Sequence, residues 1–299
     1  MMGVDILLER YRNGDIFALS RLITLCEDGK YHFEEPDVEN YHVIGVTGSP
    51  GVGKSSVIDR LAAKFLNDGV RVAVLAVDPS GPFTQGAFLG DRVRMRDLNA
   101  RGVYIRSMAS RGILGGLGPA VCDAINLLAG FGFTRIFVET VGAGQADIDV
   151  MNVADTILLV MAPSMGDEIQ ILKAGIMEIA DVYVVNKSDV EEASFLRGQL
   201  EALLMMDESG RSRQIVNTSC VLDKGFEELK MVVEKHYTDM VSSGEMAERR
   251  RRRKRYFVTK LVMKEIQELL NSINIDGLNF EEIKKMLCRR FLGSRCDCV

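Results

Sequence analysis

Tyr41-His42-Val43-Ile44-Gly45-Val46-Thr47-Gly48-Ser49-Pro50-Gly51-Val52-Gly53-Lys54-Ser55, residues 41–55, decides the fold. The first part, Tyr41–Thr47, is apolar nearly throughout, as expected of a strand covered on both faces. The second part, Gly48 to Ser55, matches G-x-x-x-x-G-K-[ST]. A helical stretch, Ser56–Asn67, follows. Strand, glycine-rich turn and helix start, in that order, make an anion cradle. The glycines let backbone N–H groups close around phosphates, and the helix N-terminus adds a field that favours negative charge. Gly48, Gly51, Val52, Gly53, Lys54, Ser55 and Ser56 are the expected contacts. Lys54 should reach the β- and γ-phosphates and Ser55 should bind Mg²⁺. Lys54 is expected to stand exposed until phosphate arrives.

Further β-rich runs follow outward from this stretch: Val70–Val77, Val103–Arg106, Arg135–Glu139, Thr156–Met161, Val182–Asn186 and Gln214–Thr218. Helical stretches separate most of them. That alternation predicts a parallel sheet with helices on both sides. The predicted class is α/β, a parallel-sheet P-loop NTPase domain with helical arms at both ends. Residues 1–40 read as an N-terminal helical arm broken at Arg12-Asn13-Gly14-Asp15. Residues 41–237 read as the P-loop domain, and 238–299 as a C-terminal helical dimerisation arm.

The ends of these strands carry the remaining candidate residues. Asn186-Lys187-Ser188-Asp189 matches the N-K-x-D guanine motif. An ionised Asp189 only accepts hydrogen bonds, so it can take guanine N1–H and the exocyclic amine together. Adenine offers no such pair of donors and would leave the carboxylate unpaired. Thr218-Ser219-Cys220 follows the next strand, and Ser219 and Cys220 are expected to add base contacts. Glu139-Thr140-Val141-Gly142 ends another strand. A carboxylate there, opposite a P-loop, is placed to hold Mg²⁺ or its water, and Gly142 could present N–H to the γ-phosphate. Asp78 and Asp91 fall where a switch loop could approach the metal or attacking water. The expected catalytic group is therefore Lys54, Asp91 and Glu139. The expected metal group is Ser55, Asp78, Asp91 and Glu139.

Composition narrows the class. Hydrophobic residues make up 47% and charged residues 26% of 299, ordinary for a globular chain. The net charge of −5 gives no reason to expect nucleic-acid binding by the chain as a whole. No apolar run is long enough to span a membrane, and the N-terminus resembles neither a signal nor a transit peptide, so a cytoplasmic location is expected. Six scattered cysteines give no disulfide framework, and Cys296-Asp297-Cys298 reads either as a disordered end or as part of a soft-metal site. The basic run Arg249–Arg255 is left among three readings. These are contacts within the chain or dimer, a contact for an acidic partner, and a nucleic-acid or membrane patch.

Taken together, these motifs resemble the MeaB/ArgK group of the G3E P-loop GTPases. The likeness includes Ala73–Ser80, Leu89–Met95, Glu139–Gln145, Gly166–Gln170 and Lys173-Ala174-Gly175. The resemblance implies a GTP-hydrolysing homodimer. It would gate cofactor loading for an adenosylcobalamin-dependent acyl-CoA mutase, chiefly methylmalonyl-CoA mutase, and protect that enzyme. It also implies an additional switch in the segment Pro163–Gln170. An older label in the group, a kinase tied to lysine/arginine/ornithine transport, is one alternative, and a nickel or cobalt metallochaperone is another. Gly142 is followed by Ala143 rather than a water-orienting Gln, with Gln145 two positions on, so slow unassisted turnover is expected.

Overall fold

The computed structural model describes residues 3–33, 38–78, 102–109, 117–140, 145–163, 176–206, 213–272 and 277–292. Asp91, Gly142, the segment 164–175 and the Cys296/Cys298 tail lie outside these residues, as does the side chain of Asp78.

Among the described residues, seven strands form one parallel sheet: β1 (His42–Thr47), β2 (Val72–Asp78), β3 (Tyr104–Ala109), β4 (Arg135–Thr140), β5 (Thr156–Met161), β6 (Val182–Val185) and β7 (Gln214–Asn217). Their order is β3-β2-β4-β1-β5-β6-β7. β1 is central, and the chain turns to opposite sides of it on the way to β2 and to β5. Ligand crevices of open α/β sheets lie at the carboxyl ends of strands at such a point. The strands match the sequence expectations to within one or two residues, except that β3 continues three residues past Arg106.

Side chains alternate across the sheet, and each face has its own core. On one face, α3 (Lys54–Asn67) and α8 (Phe226–Ser243) cover Ile44, Val46, Val74, Phe137 and Val160 through Val57, Leu61, Phe65, Leu229 and Val233. On the other, α4 (Pro119–Gly130) and α5 (Gln145–Val153) cover Val43, Leu75 and Val138. The approach of α5 is close: a Cβ on Gly45 would stand 2.6 Å from Val150 Cγ2. The first two helices, α1 (Val4–Arg12) and α2 (Ile16–Glu27), join this second core through Leu7, Tyr11, Leu19, Leu22 and Ile23. Asp15 caps α2 by accepting from Phe17 and Ala18 N–H. The Tyr11 hydroxyl donates to the Leu127 carbonyl at 2.8 Å. A short helix, α6 (Ile176–Ile179), and α7 (Glu192–Met205) flank β5, β6 and β7. After a left-handed Gly244 come the long α9 (Glu245–Ser272) and then α10 (Phe280–Leu292).

The basic run lies on α9, and part of it anchors that helix to the pole where the strands begin. Arg253 pairs with Asp155, both buried, and Asp155 also accepts the Val43 N–H at 2.8 Å. Arg249 forks onto Asp181 at 2.6 and 2.7 Å and also pairs with Glu245. Arg250 stacks over the Tyr41 ring, 4.5 Å from its centroid. Arg251 pairs at the surface with Glu248. Contacts within the chain therefore account for these four members of the run.

Next to these anchors, one hydroxyl bridges two imidazoles. Thr156 Oγ1 lies 2.6 Å from His42 Nε2 and 2.8 Å from His236 Nδ1. A hydroxyl carries one proton, so it donates to one ring and accepts from the other. His42 Nδ1 is buried with no hydrogen-bond partner, and an orphan acceptor is more tolerable there than an orphan N–H. This assigns the order His42 Nε2–H to Thr156 to His236 Nδ1. The His236 Nε2–H is then left facing Asp181 Oδ1 at 3.6 Å. Burial pushes both imidazoles below their ordinary value. The charges of Arg135, Arg253 and Arg249 add to this at His42, and Asp181 opposes it at His236. Unfolded histidines take up protons near pH 6.5, before the folded ones do. Stability is thus full above about pH 6.5 and declines as pH falls towards the folded values. Urea unfolding should show lower stability at about pH 5.5 than at about pH 7.5, with a smaller difference in His236→Gln. An equal difference in that variant would contradict a lowered His236.

Candidate functional site

The P-loop leaves β1 at the C-terminal edge of the sheet. Two of its glycines are required by space as well as by backbone angle. Gly48 has φ +143°, and a Cβ there would lie 2.1 Å from the Val160 carbonyl oxygen. Gly53 has φ +96°, and its Cβ would lie 2.5 Å from Asn186 Nδ2. Gly51, also left-handed, faces open space. Val52 is buried, and Ser56 is exposed on the first turn of α3. The helix begins at Lys54 rather than Ser56, so the N–H groups of its first turn belong to the motif itself.

The expectation of an exposed Lys54 is corrected. Its side chain is buried at 6% exposure, and Nζ donates to the Gly48 and Ser49 carbonyls at 2.7 and 3.0 Å. A cation in a tight loop is better served by those carbonyls than by extending into water. Reaching a phosphate would exchange carbonyl acceptors for phosphate oxygens.

Ser55 and Glu139 are brought together as expected, the hydroxyl donating to Oε1 at 2.5 Å. Glu139 is buried at the end of β4, beside the P-loop strand. A hydroxyl and a carboxylate oxygen at the mouth of a phosphate cradle are the hard donors that Mg²⁺ takes, and they suit a site with few protein ligands. Asp78 is the last residue of β2, two strands from β1. Among the described residues no group of three or more His, Cys, Asp or Glu is arranged to hold a metal.

The N-K-x-D loop is tied directly to the P-loop. Asn186 Nδ2 donates to the Val52 carbonyl at 2.8 Å, and Lys187 Nζ donates to the Gly51 carbonyl at 3.0 Å. Lys187 has φ +57°, a conformation rare outside glycine and asparagine, and it persists here under these constraints. Thr218 Oγ1 donates to Asn186 Oδ1 at 3.2 Å, and Cys220 Sγ to the same oxygen at 3.5 Å. Burial raises the Cys220 thiol above its ordinary value, so it serves here as a neutral donor. Ser219 is fully buried and donates to Asp189 Oδ1 at 2.5 Å, which orients one carboxylate oxygen. The exposed Asp189 and the P-loop thus form one continuous rim along the sheet edge.

Sequence reasoning missed Asp147. Buried in the first turn of α5, its Oδ1 accepts from Thr47 Oγ1 at 2.9 Å and from Thr140 Oγ1 at 2.6 Å. Its sequence context shows only an acidic residue near a helix start, which is the commonest place for one.

Comparison with known proteins places this geometry in a family. The family model described as methylmalonyl Co-A mutase-associated GTPase MeaB matches residues 19–274. A Pyrococcus horikoshii protein whose name carries the word GTPase is 40% identical, covering 98% of this chain and 95% of its own. GTPase ArgK of Escherichia coli is 29% identical, covering 87% of this chain and 83% of its own. A fused isobutyryl-CoA mutase of Geobacillus kaustophilus is 37% identical over 65% of this chain, which corresponds to 19% of that much longer protein. In fold, the chain is similar to the crystal structure of a LAO/AO transport system kinase. The TM-score is 0.68 at 23% identity, over 97% of this chain and 92% of the other. The P-loop, the Glu139 strand end and the N-K-x-D loop stand together on one sheet edge, and the matched model spans nearly all the elements that hold them: the chain belongs to the MeaB family of methylmalonyl-CoA mutase-associated GTPases.

Proposed function

We propose that this chain hydrolyses GTP to GDP and phosphate with Mg²⁺, and that it does so in the service of an adenosylcobalamin-dependent acyl-CoA mutase. In that role it gates cofactor loading and protects the mutase. The observation that carries the nucleotide part is the joining of the base loop to the P-loop through Asn186 and Lys187. The mutase part is supported by the relative in which a similar segment is fused to an isobutyryl-CoA mutase. Residues 41–237 would be the GTPase unit, flanked by the two terminal helical segments.

In this reading Lys54, the P-loop N–H groups and the N-terminus of α3 compensate the triphosphate charge. Ser55 and Glu139 would hold Mg²⁺, which would supply neutralising charge to the phosphates. Asp78, Asp91 and Gly142 would approach from the switch segments. Asp189, Ser219 and Cys220 would select guanine, with Asn186 and Lys187 fixing the loop. Unassisted turnover would be slow because no Gln follows Gly142 directly. A homodimer is supported by Val258 and Val262 on α9, which remain substantially exposed. A cytoplasmic location without membrane or nucleic-acid partners suits the net charge of −5, and none of the described helices is long and apolar enough to cross a membrane.

Lys54→Ala should lower hydrolysis by at least about 100-fold, because the lost charge stabilises developing phosphate charge; the chain should still fold, with some loss of stability where the Gly48 and Ser49 carbonyls lose their donor. Phosphate release and circular dichroism on the same sample check this, and a folded variant with full activity would contradict it. The mutase reading is tested by GTP turnover with and without purified methylmalonyl- or isobutyryl-CoA mutase. Acceleration, together with co-elution in the presence of a non-hydrolysable GTP analogue, supports it. Neither effect with either enzyme would count against it.

A further inference from the structure

Thr47 and Thr140 are neighbours at the C-terminal edge of the sheet, one position beyond the Val46–Glu139 pair of β1 and β4. Thr47 immediately precedes Gly48, the first residue of the P-loop. Thr140 immediately follows Glu139, the residue that receives the Ser55 hydroxyl. Both threonines are fully buried, and both donate to the same oxygen, Asp147 Oδ1. A buried hydroxyl needs an acceptor, and one carboxylate oxygen can take two donors. The negative charge of Asp147 is favoured by its place in the first turn of α5.

We propose that Asp147 is a positioning residue for hydrolysis: it sets the spacing between the P-loop and Glu139. This rests on the GTPase reading above. The clamp acts at two places. Across the sheet it holds the ends of β1 and β4 in register, so that Ser55 and Glu139 meet. Along the chain, the Thr140–Asp147 bond ties the first turn of α5 to the end of β4. Asp147 touches neither phosphate nor metal in this scheme and acts only through the threonines. Its removal should therefore affect the organised transition state more than nucleotide binding.

The test is steady-state GTP hydrolysis by the full chain and its variants. Asp147→Ala should lower kcat by about tenfold while changing KM by less than about threefold, since a misplacement of about 1 Å can cost on the order of 10²-fold in the chemical step. Asp147→Asn should recover most of the loss, because an amide oxygen can accept both hydroxyls. Thr47→Val and Thr140→Val should each lower kcat, and together no further than Asp147→Ala. Leu200→Ala, a core truncation on α7, controls for simple loss of stability: it should lower Tm without this split. Three outcomes would overturn the proposal. These are a kcat for Asp147→Ala within twofold of wild type, an Asn variant as impaired as the Ala variant, and a matching kcat loss in Leu200→Ala. A wild-type chain that fails to hydrolyse GTP would instead sink the GTPase reading, and that result is visible before any variant is made.

Discussion

Asp189→Asn is expected to weaken GTP binding by on the order of 10³- to 10⁴-fold and to turn preference towards xanthine nucleotides. In the wild type, both guanine donors, N1–H and the exocyclic amine, would meet a carboxylate that can only accept. Ser219 holds one oxygen of that carboxylate with a 2.5 Å bond, so the acceptor is oriented in advance. The amide of the variant presents one acceptor and one donor. Guanine then sets its amine against an amide N–H, whereas xanthine offers N1–H to the oxygen and its C2 carbonyl to the nitrogen. Because Asn186 and Lys187 keep the loop on the P-loop, the change should fall on the base and spare the phosphates. Equilibrium titrations with GTP and xanthosine triphosphate at one magnesium concentration measure it. Unchanged GTP affinity would remove Asp189 from the base site.

Arg253→Met is expected to cost about 3–5 kcal/mol of stability, the usual penalty for leaving one partner of a buried ion pair without the other. Asp155 is fully buried, and Arg253 is 4% exposed. The carboxylate that would be orphaned also accepts the Val43 N–H, so the damage reaches β1, the strand that carries the P-loop. Adding Asp155→Asn should recover part of the loss, since the amide oxygen still accepts from Val43 and no unpaired charge remains. Urea denaturation of the single and double variants checks both statements. A loss under about 1 kcal/mol in the single variant would show that water reaches this pair and screens it.

Much of the sheet was legible because its strands are covered on both faces and so appear as short apolar runs between helical stretches. Thr156–Met161 came out to the residue. The phosphate cradle was legible for a related reason: its glycines are demanded by backbone approach at Gly48 and Gly53, and that demand leaves a fixed spacing. What stayed hidden depends on contacts between distant positions. Asp147 joins Thr47 and Thr140 from 100 and seven residues away. A first-turn acid on a helix has no periodicity to betray such a task. The burial of Lys54 was hidden because it follows from the loop's own carbonyls turning inward. The basic run was ambiguous because a seven-residue cationic stretch surrounds a helix on all sides. Only the positions of Asp155, Asp181 and Tyr41 decide that Arg249, Arg250 and Arg253 face the body. Likewise, the Tyr11 bond to Leu127 spans 116 residues, and nothing local announces that the first two helices pack on α4.

A guanine-selective site and a phosphate cradle are expected to act together on one substrate. Phosphate release by the purified chain, with Mg²⁺ and equal concentrations of GTP or ATP, tests that most directly. Slow but measurable release from GTP is predicted, at least about 100-fold faster than from ATP, with loss in chelator. Equal rates with the two nucleotides, or release from ATP alone, would contradict it.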